Sequence, residues 1–227
     1  MNTFDAVLFD LDGTLVVDEQ GLEEIHAGVF DRVDVDPFFD PADMRAVDFH
    51  SLPEVDATGD RAFYEAVYRA VIETVGGDPS LAPRLAAANA EVVDHTAVSL
   101  REGAASALAA AADDGSVGLV TNGRRETQTT KLDAVGIRDA FAVELYCHPE
   151  GDAPGKPSPE PVQRAAAALD TTPERVLLVG NSLHDDVGGA RAAGAASAWV
   201  PRDDATDDPD PTPDYRLGSL AELASVL

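Results

Sequence analysis

The stretch Ala6-Val7-Leu8-Phe9-Asp10-Leu11-Asp12-Gly13-Thr14 decides how this chain is read. Apolar residues run without a break into two carboxylates. An unbroken apolar run of that length suits a strand buried on both faces, as in a parallel sheet covered by helices. Gly13 lets the backbone turn as the strand ends. Asp10 and Asp12 then stand at the carboxyl edge of a central strand, where open α/β sheets bind their ligands. Residues two apart on a strand share a face, so both carboxylates address one point. Aspartate is a poor strand former, and two of them closing a buried strand break a local rule, as functional sites do. Asp-x-Asp-Gly-Thr also suits a plain turn, with aspartate capping and glycine turning. The segments around it decide between the two.

Outward from this strand the spacing becomes helical. Leu22, Ile25, Val29, Phe30 and Val33 follow a helical period, and Asp40-Pro41 reads as an N-cap with proline at the first helical position. Phe63, Val67, Val71 and Val75 recur at every fourth residue until Gly76-Gly77. Ser80, with Pro83 in the first turn, opens a helix carrying Leu85, Ala88 and Val92. No strand-like run separates these segments, so residues 17–98 read as an all-α insertion.

Beyond the insertion, helices and strands alternate. An alanine-rich helix from Glu102 to Asp114 leads to a strand, Val117 to Val120, that ends in Thr121-Asn122-Gly123. A helix through Lys131 to Val135 stops at Gly136, and Phe141 to Tyr146 form the next strand. After a loop with Gly155-Lys156-Pro157, a helix runs from Ser158-Pro159 to Leu169, and a strand from Arg175 to Val179 ends in Gly180-Asn181-Ser182. A helix from Val187 to Ala193 and a short strand from Ala196 to Val200 follow. The acidic, proline-bearing stretch Asp203 to Asp214 reads as a loop before a last helix, Ser219 to Leu227. The pattern predicts an α/β fold, a doubly wound parallel sheet, with a core of residues 1–16 and 99–227.

Sixteen Lys and Arg face 42 Asp and Glu, a formal net charge of -26. Such a surface repels phosphate backbones and anionic membranes, which disfavours nucleic-acid binding. Lys131 and Lys156 are the only lysines. Excess acid with almost no lysine points to a halophilic, high-salt cytoplasm, where screening relieves self-repulsion. Cys147, the single cysteine, leaves no intrachain disulfide and fits a reducing compartment. No secretory signal or membrane span is visible, so a cytoplasmic protein is expected.

The strand ends bring Asp10, Asp12, Thr121, Asn122, Asn181 and Ser182 to one sheet edge, within reach of the Lys156 loop. In order along the chain, Asp10-Leu11-Asp12-Gly13-Thr14, Val120-Thr121-Asn122-Gly123, Gly155-Lys156-Pro157 and Gly180-Asn181-Ser182-Leu183-His184-Asp185-Asp186 resemble the four motifs of the haloacid dehalogenase-like (HAD) hydrolase superfamily. The resemblance implies a Rossmann-like core with a helical cap domain at 17–98 that closes over the site. It implies a phosphatase of small-molecule phosphate esters working through an aspartyl-phosphate. Asp10 would be the nucleophile and Asp12 the acid/base. Thr121, Asn122, Gly123 and Lys156 would hold the phosphoryl group, with Lys156 also neutralising charge. Mg²⁺ would be held by Asp10, the Asp12 carbonyl and the fourth motif, through Asn181, Asp185 and Asp186.

That chemistry suits the residue types. A carboxylate attacking phosphorus splits one hard displacement into two easier ones. A second carboxyl group can protonate the leaving oxygen and then deprotonate water. Asn181 departs from the aspartate common in the family; it keeps a carbonyl oxygen but drops a charge, which Asp185 or Asp186 would restore. Arg124 and Arg125 suit a solvent-facing first helical turn more than a phosphate contact. A phosphomutase or a 2-haloacid dehalogenase would share the fold, and a non-catalytic binding module is the alternative from another class. Intact Asp10, Asp12 and Lys156 argue against the module.

Overall fold

The computed structural model describes residues 4–48, 52, 60–202 and 209–227. The chain forms two compact units, residues 1–18 with 98–227, and residues 19–97. In the first, a six-stranded sheet has the order β5-β4-β1-β6-β7-β8, every neighbouring pair parallel. These strands are β1 (Ala6–Phe9), β4 (Ser116–Asn122), β5 (Val143–Cys147), β6 (Val176–Gly180), β7 (Ala196–Trp199) and β8 (Tyr215–Arg216). This is the doubly wound parallel sheet predicted by the alternation. It also carries a strand the sequence pattern hid, β8, directly after the acidic loop. Of that loop, residues 203–208 lie outside the described residues.

β1 lies between β4 and β6, with Phe9 level with Leu119 on one side and Val179 on the other. Its side chains alternate between two cores. Val7 and Phe9 join Ala104, Ala107 and Leu108 of α5 (Ala104–Asp114), Leu132 of α6 (Arg125–Val135), and Leu220 and Leu223. Ala6 and Leu8 join Val162, Ala165 and Ala166 of α7 (Glu160–Ala168), and Ala190 and Ala193 of α8 (Gly188–Ala193). Both faces are covered, which is why the strand reads as a continuous apolar run. Strand order reverses at β1, so the carboxyl ends of β1, β4 and β6 meet at the switch point where such sheets bind ligands.

One local expectation needs correction, and two details left no signal in the sequence. The last segment is a 3₁₀ helix, Leu220–Ser225, rather than an α-helix from Ser219 to Leu227. Leu220 and Leu223 are three apart, and a three-residue turn aligns both on the core. The turn before α8 is a π-helix, Leu183–Val187, so the regular helix begins only at Gly188. The insertion is also flanked by a short antiparallel ribbon, β2 (Val16–Asp18) with β3 (Val98–Leu100), too short to leave a periodic signal.

The second unit is helical: α1 (Leu22–Val33), α2 (Pro41–Arg45), α3 (Asp60–Val75) and α4 (Ala82–Val92). Asp40 caps α2 in a full capping box with Asp43, and Pro41 occupies the first turn. Val29 and Phe30 of α1, Val67 and Val71 of α3 and Leu85 of α4 close an apolar core separate from those of the sheet. Among the described residues, no helix is long and apolar enough to cross a membrane.

Candidate active site

The site begins where β1 stops. Asp10 N–H still donates to Val179 of β6 (3.0 Å), and then the chain folds back on itself. The Leu11 carbonyl accepts from Thr14 (3.2 Å), Leu15 (2.9 Å) and Val16 (3.1 Å). Gly13 takes φ +76°, a conformation that costs a side-chain-bearing residue about 1–2 kcal/mol. Arg101 clamps the turn from outside by donating to the carbonyls of Gly13 (2.8 Å), Val200 (3.2 Å) and Pro201 (2.6 Å).

Asp10, only 7% exposed, is held at both oxygens. Lys156 Nζ donates to Oδ1 at 2.8 Å and Thr14 Oγ1 to Oδ2 at 2.9 Å. The Lys156 ammonium also donates to the Val120 carbonyl (2.8 Å) and to Asp186 Oδ1 (2.7 Å), so all three of its hydrogens are used. Asp186 Oδ2 in turn accepts from Ser182 N–H at 2.9 Å. Gly180 makes this arrangement possible, since a Cβ there would lie 2.2 Å from the Asp186 carboxylate. Burial pushes the Asp10 carboxyl up to about 7; Lys156 opposes the rise, and Asp186 and Asp12 add to it. Burial works against the Lys156 charge, but Asp10 and Asp186 more than reverse this and hold its ammonium above the ordinary range.

Asp12 is gripped by α6. Lys131 Nζ donates to its Oδ1 at 2.6 Å and Gln128 Nε2 to its Oδ2 at 2.7 Å. The same Gln128 amide donates to Thr121 Oγ1 at 2.6 Å, linking the ends of β1 and β4. Gln128 and Lys131 are both buried. Sequence reasoning missed them as site residues.

The remaining strand ends serve as supports. Asn122 accepts from Lys156 N–H (2.9 Å) and donates to Lys156 C=O (3.1 Å), which fixes the lysine loop against β4. Gly123 N–H bonds the Cys147 carbonyl at 3.0 Å. Cys147 is buried, and burial pushes its thiol up to about 12, so it behaves as a small apolar residue. Arg125 Nη2 donates to both carboxylate oxygens of Asp152 (2.8 Å to each), and its guanidinium lies 4.4 Å over the Tyr146 ring, while Arg124 faces Glu150 at 3.5 Å.

Asn181 lies beside the first turn. One terminal atom of its amide is 2.9 Å from the Asp12 carbonyl oxygen and 3.0 Å from Thr14 Oγ1, and the other is 3.0 Å from Arg202 Nε. With nitrogen towards Asp12, every contact pairs a donor with an acceptor. Turned the other way, the amide would set its oxygen beside the Asp12 carbonyl, as a shared cation would require. The Asp10 carboxylate, the Asp12 carbonyl and the Asn181 amide oxygen are the hard donors that Mg²⁺ takes, so the residues fit that ion. Among the described residues, no three His, Cys, Asp or Glu side chains gather as a metal cluster, so the fit rests on this mixed donor set. Asp185 is engaged locally, its Oδ1 2.8 Å from His184 Nδ1 and its N–H on Ser182 Oγ at 3.0 Å.

A family model described as haloacid dehalogenase-like hydrolase matches residues 4–194. The phosphoserine phosphatase of Thermus thermophilus is 34% identical over 177 residues, covering 77% of this chain and 70% of its own. The pyrophosphatase PpaX of Bacillus cereus is 27% identical over 98% of this chain and 95% of its own. The HAD-hydrolase YfnB of Bacillus subtilis, solved with magnesium bound, superposes with a TM-score of 0.71 at 22% identity, over 99% of this chain and 98% of its own.

Proposed function

The chain belongs to the haloacid dehalogenase-like hydrolase family and is a phosphoric monoester hydrolase, and from that premise we propose that it hydrolyses small-molecule phosphate monoesters through a phosphorylated Asp10. The observation that carries this reading is the pairing of two carboxylates with separate environments at one strand end. Asp10 is buried against Lys156, and Asp12 is held two residues on by α6. A single carboxylate would have to be nucleophile and acid at once; two divide the work.

In this reading, Asp10 attacks phosphorus as the ester P–O bond breaks, and Asp12 gives its proton to the departing oxygen. Water then attacks the aspartyl-phosphate, its proton passing back to Asp12, which frees inorganic phosphate and restores the Asp10 carboxylate. Lys156 is a fixed positive charge beside the reacting carboxylate. Thr121 Oγ1 accepts from Gln128, so its own hydrogen is left to meet a phosphoryl oxygen. Asp10, the Asp12 carbonyl and Asn181 would hold Mg²⁺, which when bound offsets the repulsion between an anionic nucleophile and an anionic substrate. Asp186 is better placed as the second partner of Lys156 than as a metal ligand. Substrate choice falls to the helical unit, which corresponds to the family's cap.

The test is release of inorganic phosphate from a panel of small phosphate esters, with Mg²⁺ or with EDTA, and with Asp10→Asn alongside. High KCl is included because a net charge of -26 needs screening. Mg²⁺-dependent release that the variant lacks is expected. Failure of the folded protein to release phosphate from any ester overturns the reading.

A further inference from the structure

Of the 16 basic residues only two are lysines, and each has a buried ammonium paired with an aspartate of the first turn, Lys156 with buried Asp10 and Lys131 with half-buried Asp12. Lys156 belongs to a motif; Lys131 does not. Lys131 and Gln128 are three apart on α6 and therefore share a face. On a helix that otherwise shows Arg125, Glu126, Thr129 and Thr130 to solvent, that face is turned inward, with Gln128 2% and Lys131 8% exposed.

Between them they occupy both oxygens of Asp12 and reach Thr121 as well. Asp18, at the end of β2, stands 3.4 Å from Lys131 Nζ and helps to fix it. Burial works against the Lys131 charge; Asp12 and Asp18 outweigh it and keep the ammonium above its ordinary range. An exposed lysine would spend rotamer entropy on such a contact, whereas a buried one with two acceptors is already ordered.

We infer that Gln128 and Lys131 are positioning residues that aim the Asp12 carboxyl at the leaving oxygen and tie it to the phosphoryl-facing Thr121. This rests on the phosphatase reading above, with Asp12 as the group that passes the proton. Gln128 bonds Asp12 and Thr121 through one amide nitrogen, so the proton donor and the phosphoryl holder keep a fixed separation. Lys131 takes the other oxygen and removes the remaining rotation about the carboxyl.

A positioning role for a proton donor differs from a structural one in which substrates suffer. An alkyl leaving group must be protonated as it departs, and 4-nitrophenolate need not be. The experiment measures kcat and kcat/KM of Lys131→Met and Gln128→Ala on an alkyl phosphate and on 4-nitrophenyl phosphate, with melting temperatures recorded for each protein. The expected result is a fall in kcat/KM of about 30-fold or more on the alkyl ester, a large part of the roughly 10²–10⁴-fold such catalysis supplies, and about threefold or less on the nitrophenyl ester. For the nitrophenyl ester kcat should still drop and a burst of nitrophenol appear, because hydrolysis of the aspartyl-phosphate also uses Asp12. Lys131→Arg should recover part of the alkyl activity. Equal losses on both esters, or no loss on either, in folded Gln128→Ala overturns the inference while leaving the phosphatase reading intact. Absence of turnover by the wild type overturns the reading itself.

Discussion

Replacing Lys156 by methionine should cost more stability than any other single change in the sheet unit, and the cost should depend on pH. Lys156 has a side chain 1% exposed and sits between Asp10 and Asp186, whose side chains are 10% and 3% exposed. Methionine fills the volume but leaves two buried carboxylates facing each other, and stranding a buried charge in this way costs about 3–5 kcal/mol. The pH sign follows from Asp10. Its carboxyl stands at about 7 in the folded protein, above the ordinary carboxylate value of 3.8. A group raised on folding stabilises fully below its unfolded pKa and loses that contribution as pH rises through the folded value. In the wild type that window ends near 7. Without Lys156, the largest opposing influence, it extends upward. Between pH 7 and 8.5 the deficit of the variant should therefore grow by up to about 2 kcal/mol, at about 1.4 kcal/mol per unit for one group. Urea unfolding in high KCl with EDTA, at pH 5.5, 7 and 8.5, measures this in the metal-free protein. A deficit below about 1 kcal/mol, or one that stays flat over that range, would refute the claim that the ammonium is what makes the buried carboxylates tolerable.

Other changes probe the turn, the metal donors and the helical unit. Gly13→Ala meets both φ +76° and a Cβ position 2.4 Å from Arg202 Nη2, so it should lower stability by about 1–2 kcal/mol and reduce kcat, as urea titration and turnover would show. Asn181→Asp places a carboxylate beside the Asp12 carbonyl and should tighten Mg²⁺ binding measured by calorimetry; weaker binding would remove position 181 from the metal donors. Asp40→Ala removes the α2 cap and should destabilise by about 1 kcal/mol, with kcat on 4-nitrophenyl phosphate unchanged.

The fold was legible wherever burial is two-sided. β1, β4 and β6 carry runs such as Val7-Leu8-Phe9 and Leu177-Leu178-Val179 because helices cover both sheet faces, and the shortness of these runs and the polar turn residues that close them mark them as strands. Legibility failed where elements are too short for a period. The Val16–Asp18 and Val98–Leu100 ribbon and the two-residue β8 are fixed by their partners rather than by their own sequence. At the carboxyl terminus, Leu220 and Leu223 fit one face of a 3₁₀ turn as well as an α-turn, and the core decided between them.

The site divides in the same way. Asp10, Asp12 and Thr121 stand where β1 and β4 end, and Lys156 follows Gly155 on the loop beyond β5, where polar residues at the close of apolar runs and a lysine in a lysine-poor chain advertise them. Gln128 and Lys131 sit mid-helix among polar neighbours, where three-residue spacing of long polar side chains normally signals a solvent face. Their burial is invisible to periodicity because what they pack against is the Asp12 carboxylate, a polar group from the far side of the chain. Composition held the one usable signal. A chain with 16 basic residues that keeps lysine at only two positions, 131 and 156, has it where a buried, compact ammonium meets an aspartate of the first turn. A guanidinium is planar and bulkier, and its fork cannot place three hydrogens about a single nitrogen, as Lys156 does towards Asp10, Val120 and Asp186. Substituting arginine at position 156 should therefore fail even though charge is preserved, whereas at position 131, which faces Asp12 with Asp18 farther off at 3.4 Å, arginine should be partly accepted. The contrast is measurable as kcat of the two arginine variants on an alkyl phosphate. Equal tolerance at both positions would mean that charge alone, and not the geometry of the ammonium, is what these two lysines supply.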